Sequence, residues 1–245
     1  MASASALLMT LFAVFTLASA PINLVHGCGI NIVNSCPYEV TTCAQSLSAT
    51  IYQYNLASEA TQYLDFGSAC QWTSGAIWAS VTGQCAVSGS PTVPTDRDLA
   101  DLAEFNIGTS SGDYYDISTV EAYNIGLSIA VTSVGVQHEN ANTPCYCCTS
   151  TCVISNISSF CQGDNVLITE PSGALVCKNT DGAAGIGPTP NTELFKTACP
   201  DAYSTYPNDG ATSIYSCSTG SIYQVTICPG GITTPATNQS LDLDQ

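Results

Sequence analysis

Fourteen cysteines, all of them after residue 27, constrain this chain more than any other feature. Their number is even, and thiols in such quantity persist as disulfides in an oxidising compartment, so up to seven bridges are expected. Spacing alone does not give the pairing, because fourteen thiols allow on the order of 10^5 connectivities. The cluster CYCCTSTC (Cys145, Cys147, Cys148, Cys152) offers ligand types for a metal. Structural zinc prefers two separated ligand pairs, and an oxidising compartment would consume these thiols. Disulfides are therefore the reading, and neither a metal nor another cofactor is expected.

The route to such a compartment is written at the start of the chain. ALLMTLFAVFTLASA, Ala6 to Ala20, is an apolar run of signal-peptide length with small residues at Ala18 and Ala20. Pro21 disfavours cleavage just before it, and Val25 and Gly27 provide a second small-residue site ahead of Cys28. Residues 1–27 are read as a secretory signal with cleavage after 20 or after 27, and the mature chain as extracellular. The run is short for a spanning helix, and the tail NQSLDLDQ is too polar for a lipid-anchor signal, so no membrane anchor is expected. Asn156 and Asn238 head N-x-S sequons and are the expected glycosylation sites.

The formal net charge is −16 with only three basic side chains, Arg97, Lys178 and Lys196. Phosphate neutralisation needs clustered Lys and Arg, so nucleic acid is excluded as a partner and an uncharged or cationic one is favoured. A monomer is expected. The 245-residue chain is 45% hydrophobic, enough to bury the core of one domain with an insertion.

Before residue 140, short β-branched and aromatic runs alternate with turn residues: INIVNSC, TIYQYNL, AIWASVTGQC, LAEFNIG, YYDISTV and LSIAVTSVGV. TSIYSCSTGSIYQVTIC reads as two strands around Ser218-Thr219-Gly220. The pattern predicts a mainly β protein, a sandwich or barrel. Residues 145–199 hold seven of the cysteines and few strand patterns, and are read as a disulfide-tied insertion. The core is then 28–144 with 200–230, followed by a polar tail, 231–245. PNTELFKTACP predicts a short helix capped by Asn191 or Thr192 and stopped by Pro200.

Several of these stretches resemble the thaumatin-like family, the sweet-protein and pathogenesis-related group. INIVNSCPYEV is similar to its first strand, and GAIWASVTGQC to its Ile-Trp strand leading to a cysteine. LAEFNIG…DYYDISTVEAYNIGLSI is similar to its acidic central hairpin, and FKTACPDAYSTYPNDGATSIYSCSTGSIYQVTICP to its C-terminal segment. The resemblance implies a thaumatin-like β-sandwich with a disulfide-rich loop insertion. It also implies four bridges, Cys36–Cys228, Cys145–Cys217, Cys152–Cys199 and Cys161–Cys177. The family's Thr-Gly-Asp-Cys loop is absent, since eighteen residues separate Cys85 from Glu104. Cys85 thereby loses its family partner, and Cys70 or Cys43 is the replacement to look for.

The stretch from 101 to 124 carries Asp101, Glu104, Asp113, Asp116 and Glu121 and no basic group. Alternation sends Ala103, Phe105, Ile107, Tyr115 and Ile117 one way and Glu104 and Asp116 the other. If GTSSGD is the hairpin turn, Glu104 lies across from Asp116, a like-charge pairing that is unfavourable in a strand pair. The resemblance places Glu104, Asp116 and Glu121 in the family's acidic cleft, with Asp201 or Asp209 supplying a fourth carboxylate. Ala76 stands where the family has the cleft arginine, leaving the carboxylates without that counter-charge. The cleft implies binding of β-1,3-glucan in cell walls, in defence or wall remodelling. Weak hydrolysis is the alternative, with Glu104 as acid and Glu121 or Asp116 as base. A non-catalytic protein-interaction or inhibitor module is the other. GTSSG (Gly108–Gly112) fits the nucleophile-elbow pattern around Ser110, but a β-turn is the better reading. Tyr114, Tyr115 and Tyr123 are candidates for stacking on sugar rings, against the commoner role of packing.

Overall fold

The computed structural model describes residues 27–46, 51–85, 96–135, 145–205 and 209–231. The expected signal segment before Gly27, the sequon at Asn238 and the expected polar tail beyond residue 231 lie outside the described residues. The strands in chain order begin with β1 (Gly29–Asn34), β2 (Val40–Gln45), β3 (Tyr52–Leu56), β4 (Thr61–Asp65), β5 (Trp72–Ala79), β6 (Leu102–Thr109) and β7 (Gly112–Ser118). They continue with β8 (Ala122–Tyr123), β9 (Leu127–Ser133), β10 (Ser150–Cys152), β11 (Val166–Thr169), β12 (Leu175–Lys178), β13 (Tyr215–Cys217) and β14 (Ile222–Ile227).

Two large sheets form a β-sandwich, as the strand patterns predict. One runs β10-β9-β14-β1-β4 and the other β13-β7-β6-β5-β2-β3. A smaller sheet, β11-β12-β8, shares no ladder with either, although Tyr123, Leu175 and Cys177 join the main core. The core between the large sheets is made by one face of each: Ile30 and Ile32 of β1, Val225 and Ile227 of β14, and Leu127 and Ile129 of β9 meet Ile77, Phe105, Tyr115 and Ile117. The rings of Phe105, Tyr115 and Tyr223 sit 5.3 to 6.3 Å apart in this layer, spacings at which aromatic pairs add to area burial.

The first and last strands are neighbours. β1 and β14 pair in parallel, and Cys36–Cys228 bridges 192 residues of chain at that point. The 212–228 stretch behaves differently from its hairpin-like pattern. β13 pairs with β7 and β14 with β9 and β1, so the turn at 218–220 carries the chain from one sheet to the other. Strands β2 and β4 carry weaker alternation and are not among the sequence patterns above.

All fourteen cysteines are bridged. Cys36–Cys228, Cys152–Cys199 and Cys161–Cys177 are present. The expected Cys145–Cys217 bridge is not: Cys217 joins Cys147, and Cys145 joins Cys148. The reason is register. Tyr146 bridges to Ser216, and the Cys147 N–H donates to Ser216 O at 2.7 Å, which sets Cys147 beside Cys217. Cys43 pairs with Cys85 and Cys28 with Cys70.

The 145–199 segment is tied into both large sheets. β10 extends the five-stranded sheet, and Cys147–Cys217 holds the start of the segment to β13 of the other. Its longest helix spans Pro190–Ala198 and is capped by Thr189, with Pro190 in the first turn and Thr192 completing a capping box. The cap therefore lies two or three residues earlier than Asn191 or Thr192, because Pro190 needs no N–H at the first helical position.

Candidate functional site: a carboxylate cleft on the outer face of the hairpin

β6 and β7 form the predicted hairpin with Thr109 opposite Gly112 and a two-residue tip, Ser110-Ser111. Ser110 is thus in a β-turn, and the nucleophile-elbow context of strand, turn and helix does not arise. Gly108 makes the bend possible: its φ is +77°, and a Cβ there would come within 2.1 Å of Cys70 O. Buried Asp113 locks the same turn, accepting from the Gly108 N–H at 2.8 Å and the Tyr223 hydroxyl at 3.0 Å.

With the inner face spent on aromatics, period-two alternation aims the intervening side chains outward. One cross-strand row on that outer face runs Gln45, Ala76, Glu104, Asp116. Two adjoining hollows lie over it, of about 440 and 540 Å3, and both are lined by Arg97, Glu104, Asp116 and Ile214. The first adds Gln45, Asn106 and Tyr114; the second adds Asp98, Ser118, Glu121 and Tyr203. Together they make one continuous cleft.

Its electrostatics are uneven. Arg97 Nη2 donates to Glu104 Oε1 at 3.3 Å. Burial pushes the Glu104 carboxyl up, and the Arg97 guanidinium and Ser118 hydroxyl oppose that push. Asp116 has no such help: its Oδ1 is enclosed and has no hydrogen-bond partner among the described residues. Burial, and then the Glu104 charge beside it, push Asp116 well above the usual carboxylate range. Glu121 is raised by burial, while Lys178 Nζ, 3.9 Å from its Oε2, pulls the other way. Two of the chain's three basic residues therefore face cleft carboxylates.

Arg97 changes the expectation drawn from Ala76. Ala76 is fully buried and carries no charge, but a cation reaches Glu104 from the one-turn helix Arg97–Leu99 instead. Asp98, on the same turn, is a lining carboxylate that strand patterns do not reveal. The two candidates for a fourth carboxylate from the C-terminal segment line neither hollow. Asp209 Oδ2 accepts from the Ser204 N–H (2.6 Å), the Ser204 hydroxyl (2.9 Å) and the Thr205 N–H (3.0 Å), which turns it inward as a loop clasp. Asp201 meets the Tyr215 hydroxyl. Of the tyrosines, Tyr114 lines the first hollow, while Tyr115 and Tyr123 are buried in the core and donate to Cys148 O and Ile154 O.

A disulfide-stapled β-sandwich with a carboxylate-lined cleft on one sheet is the class of protein that fold and site define. The sequence profile of the Thaumatin family matches residues 34–229, and the chain belongs to that family. Thaumatin-like protein 1 of Castanea sativa is 28% identical over 87% of this chain and 96% of its own length. A Prunus avium protein named glucan endo-1,3-beta-glucosidase is 28% identical over 83% of this chain and 91% of its own. Pathogenesis-related protein 5 of Arabidopsis thaliana is 30% identical over 65% of this chain and 67% of its own.

Proposed function

We propose that this is a secreted protein that binds cell-wall β-1,3-glucan along the outer-face cleft, in a defence or wall-remodelling role. The observation that carries the reading is the pair of adjoining hollows sharing Arg97, Glu104 and Asp116, charged side chains suited to a hydroxyl-rich chain. Carboxylates and a guanidinium are good partners for sugar hydroxyls, and Tyr114 gives the first hollow an aromatic wall. The name carried by the Prunus avium relative supports the choice of polymer. Seven disulfides fit an oxidising destination. Asn156 is exposed at a helix N-terminus, where a glycan would point to solvent.

The same relative's name favours one second reading, weak endo-hydrolysis. In that case the protonated partner is Asp116 rather than Glu104, because Arg97 contacts Glu104 alone of the two. Glu104 or Glu121 then acts as base or nucleophile.

The test is co-sedimentation of the oxidised protein with insoluble β-1,3-glucan, with chitin and cellulose as controls and reducing ends assayed in the same tubes. A Glu104→Gln/Glu121→Gln variant runs alongside. Selective retention weakened in the variant is the expected result, and reducing ends released only by wild type would promote hydrolysis. Absence of retention on β-1,3-glucan would overturn both.

A further inference from the structure

We propose that Asp96 is a positioning residue for the cleft, fixing the start of the Arg97–Leu99 turn so that the Arg97 guanidinium is held against Glu104. The proposal rests on the reading of the outer-face cleft as the functional site. Asp96 is 4% exposed, and an isolated carboxylate at that depth would be costly. This one is saturated. Its Oδ1 accepts from the N–H groups of Val81 (3.0 Å) and Thr82 (3.2 Å) and the hydroxyls of Ser80 (2.9 Å) and Thr82 (3.1 Å). Its Oδ2 accepts from the Trp78 indole N–H at 2.8 Å. All five donors belong to the end of β5 and the turn after it, and charge-assisted bonds of this kind are about twice as strong as neutral ones.

The other side of Arg97 is anchored too. Leu99 is buried in a cluster with Val81, Ala122 and Val176, which joins the turn after β5 to the three-stranded sheet. Arg97 thus lies between two fixed neighbours while its own side chain stays 36% exposed and reaches Glu104. An arginine side chain loses rotamer freedom when it pairs, and a stem fixed at the backbone leaves less to lose when the ion pair forms. The chain in this way supplies from a loop the cation that Ala76, opposite Glu104 on β5, does not provide.

Removing Asp96 has two opposed effects on the cleft. Loss of a negative charge by itself lowers the midpoints of nearby carboxyls, whereas loss of Arg97's position raises that of Glu104. The sign therefore separates a positioning role from a simple charge effect. The experiment follows the Glu104 and Asp116 side-chain carboxyl carbons by NMR through a pH titration of the full oxidised protein. Wild type is compared with Asp96→Asn, Arg97→Met and the double variant. Arg97→Met is expected to raise the Glu104 midpoint, Asp96→Asn to produce most of the same upward shift, and the double variant to add nothing further. Trp78→Phe, which deletes one donor and leaves the charge, gives a smaller upward shift and serves if Asp96→Asn does not fold. A Glu104 midpoint that falls or stays in Asp96→Asn and Trp78→Phe while Arg97→Met raises it would overturn the proposal, as would an Arg97→Met midpoint equal to wild type. No glucan enters the measurement, so failure of glucan binding and failure of the positioning role are told apart.

Discussion

The two faces of the β6–β7 hairpin share one backbone and solve opposite problems. On the inner face, Phe105, Tyr115 and Ile117 are buried against the five-stranded sheet, and each is surrounded by apolar partners. On the outer face, one residue along in each strand, Glu104 and Asp116 stand directly opposite each other with a single guanidinium between them and full repulsion. A strand pair optimised for stability would not place like charges there. Burial of the inner face stabilises the hairpin, so the outer face can carry an arrangement that stability alone disfavours.

That contrast has measurable consequences, the largest on the inner face. Phe105→Ala should cost about 3–5 kcal/mol in chemical denaturation, the usual range for a buried aromatic truncated to alanine. Glu104→Ala should cost under about 1 kcal/mol, as expected for a half-exposed ion pair. Equal costs would mean that the two faces do not divide the work.

A carboxyl buried just before β6, which lines neither hollow of the cleft, gives the next effect. Asp101 is fully buried, accepts from the Asn124 and Ile125 N–H groups at 3.2 Å, and has an Oδ2 without a hydrogen-bond partner among the described residues. Burial pushes its carboxyl up to about 7. A carboxyl raised on folding contributes stability that is whole below its unfolded value near pH 4 and is lost as pH rises through the folded value. From Asp101 alone the loss between pH 4 and pH 8 is on the order of 4 kcal/mol, and Asp101→Asn should flatten that stretch of the stability curve.

Asp116 acts in the same direction. Above the raised midpoint of its carboxyl, Asp116→Asn should increase the unfolding free energy by roughly the 0.2–1 kcal/mol of a relieved cross-strand repulsion, and leave it unchanged in acid, where the wild-type carboxyl is protonated. Glu121→Gln gives the smallest change, about 0.5 kcal/mol or less by thermal melt, since its lysine partner is 3.9 Å away and both are partly exposed.

Much of this was legible beforehand, for identifiable reasons. The facing of Glu104 and Asp116 follows from period-two alternation and a turn whose glycines mark its ends, and both are local signals. Arg97 was not legible as the cleft cation. It reaches Glu104 from a one-turn helix held by Asp96, and no strand or helix periodicity marks that contact. The Cys147–Cys217 pairing was hidden for a similar reason: two cysteines a couple of residues apart differ only in register against β13, which the Tyr146–Ser216 bridge decides. Asp209 clasps its own loop, and the resemblance that offered it or Asp201 as a cleft carboxylate does not tell that role from one aimed at a cleft.

The most direct measurement is a backbone-amide NMR titration of the oxidised protein with a soluble β-1,3-gluco-oligosaccharide. Shifts concentrated at Gln45, Ala76, Glu104, Asp116 and Ser118, and lost in Arg97→Met, are the predicted result. Shifts gathered elsewhere, such as the hollow lined by Tyr38, Thr41 and Asn124, or no shifts at all, would contradict the assignment of the outer-face cleft.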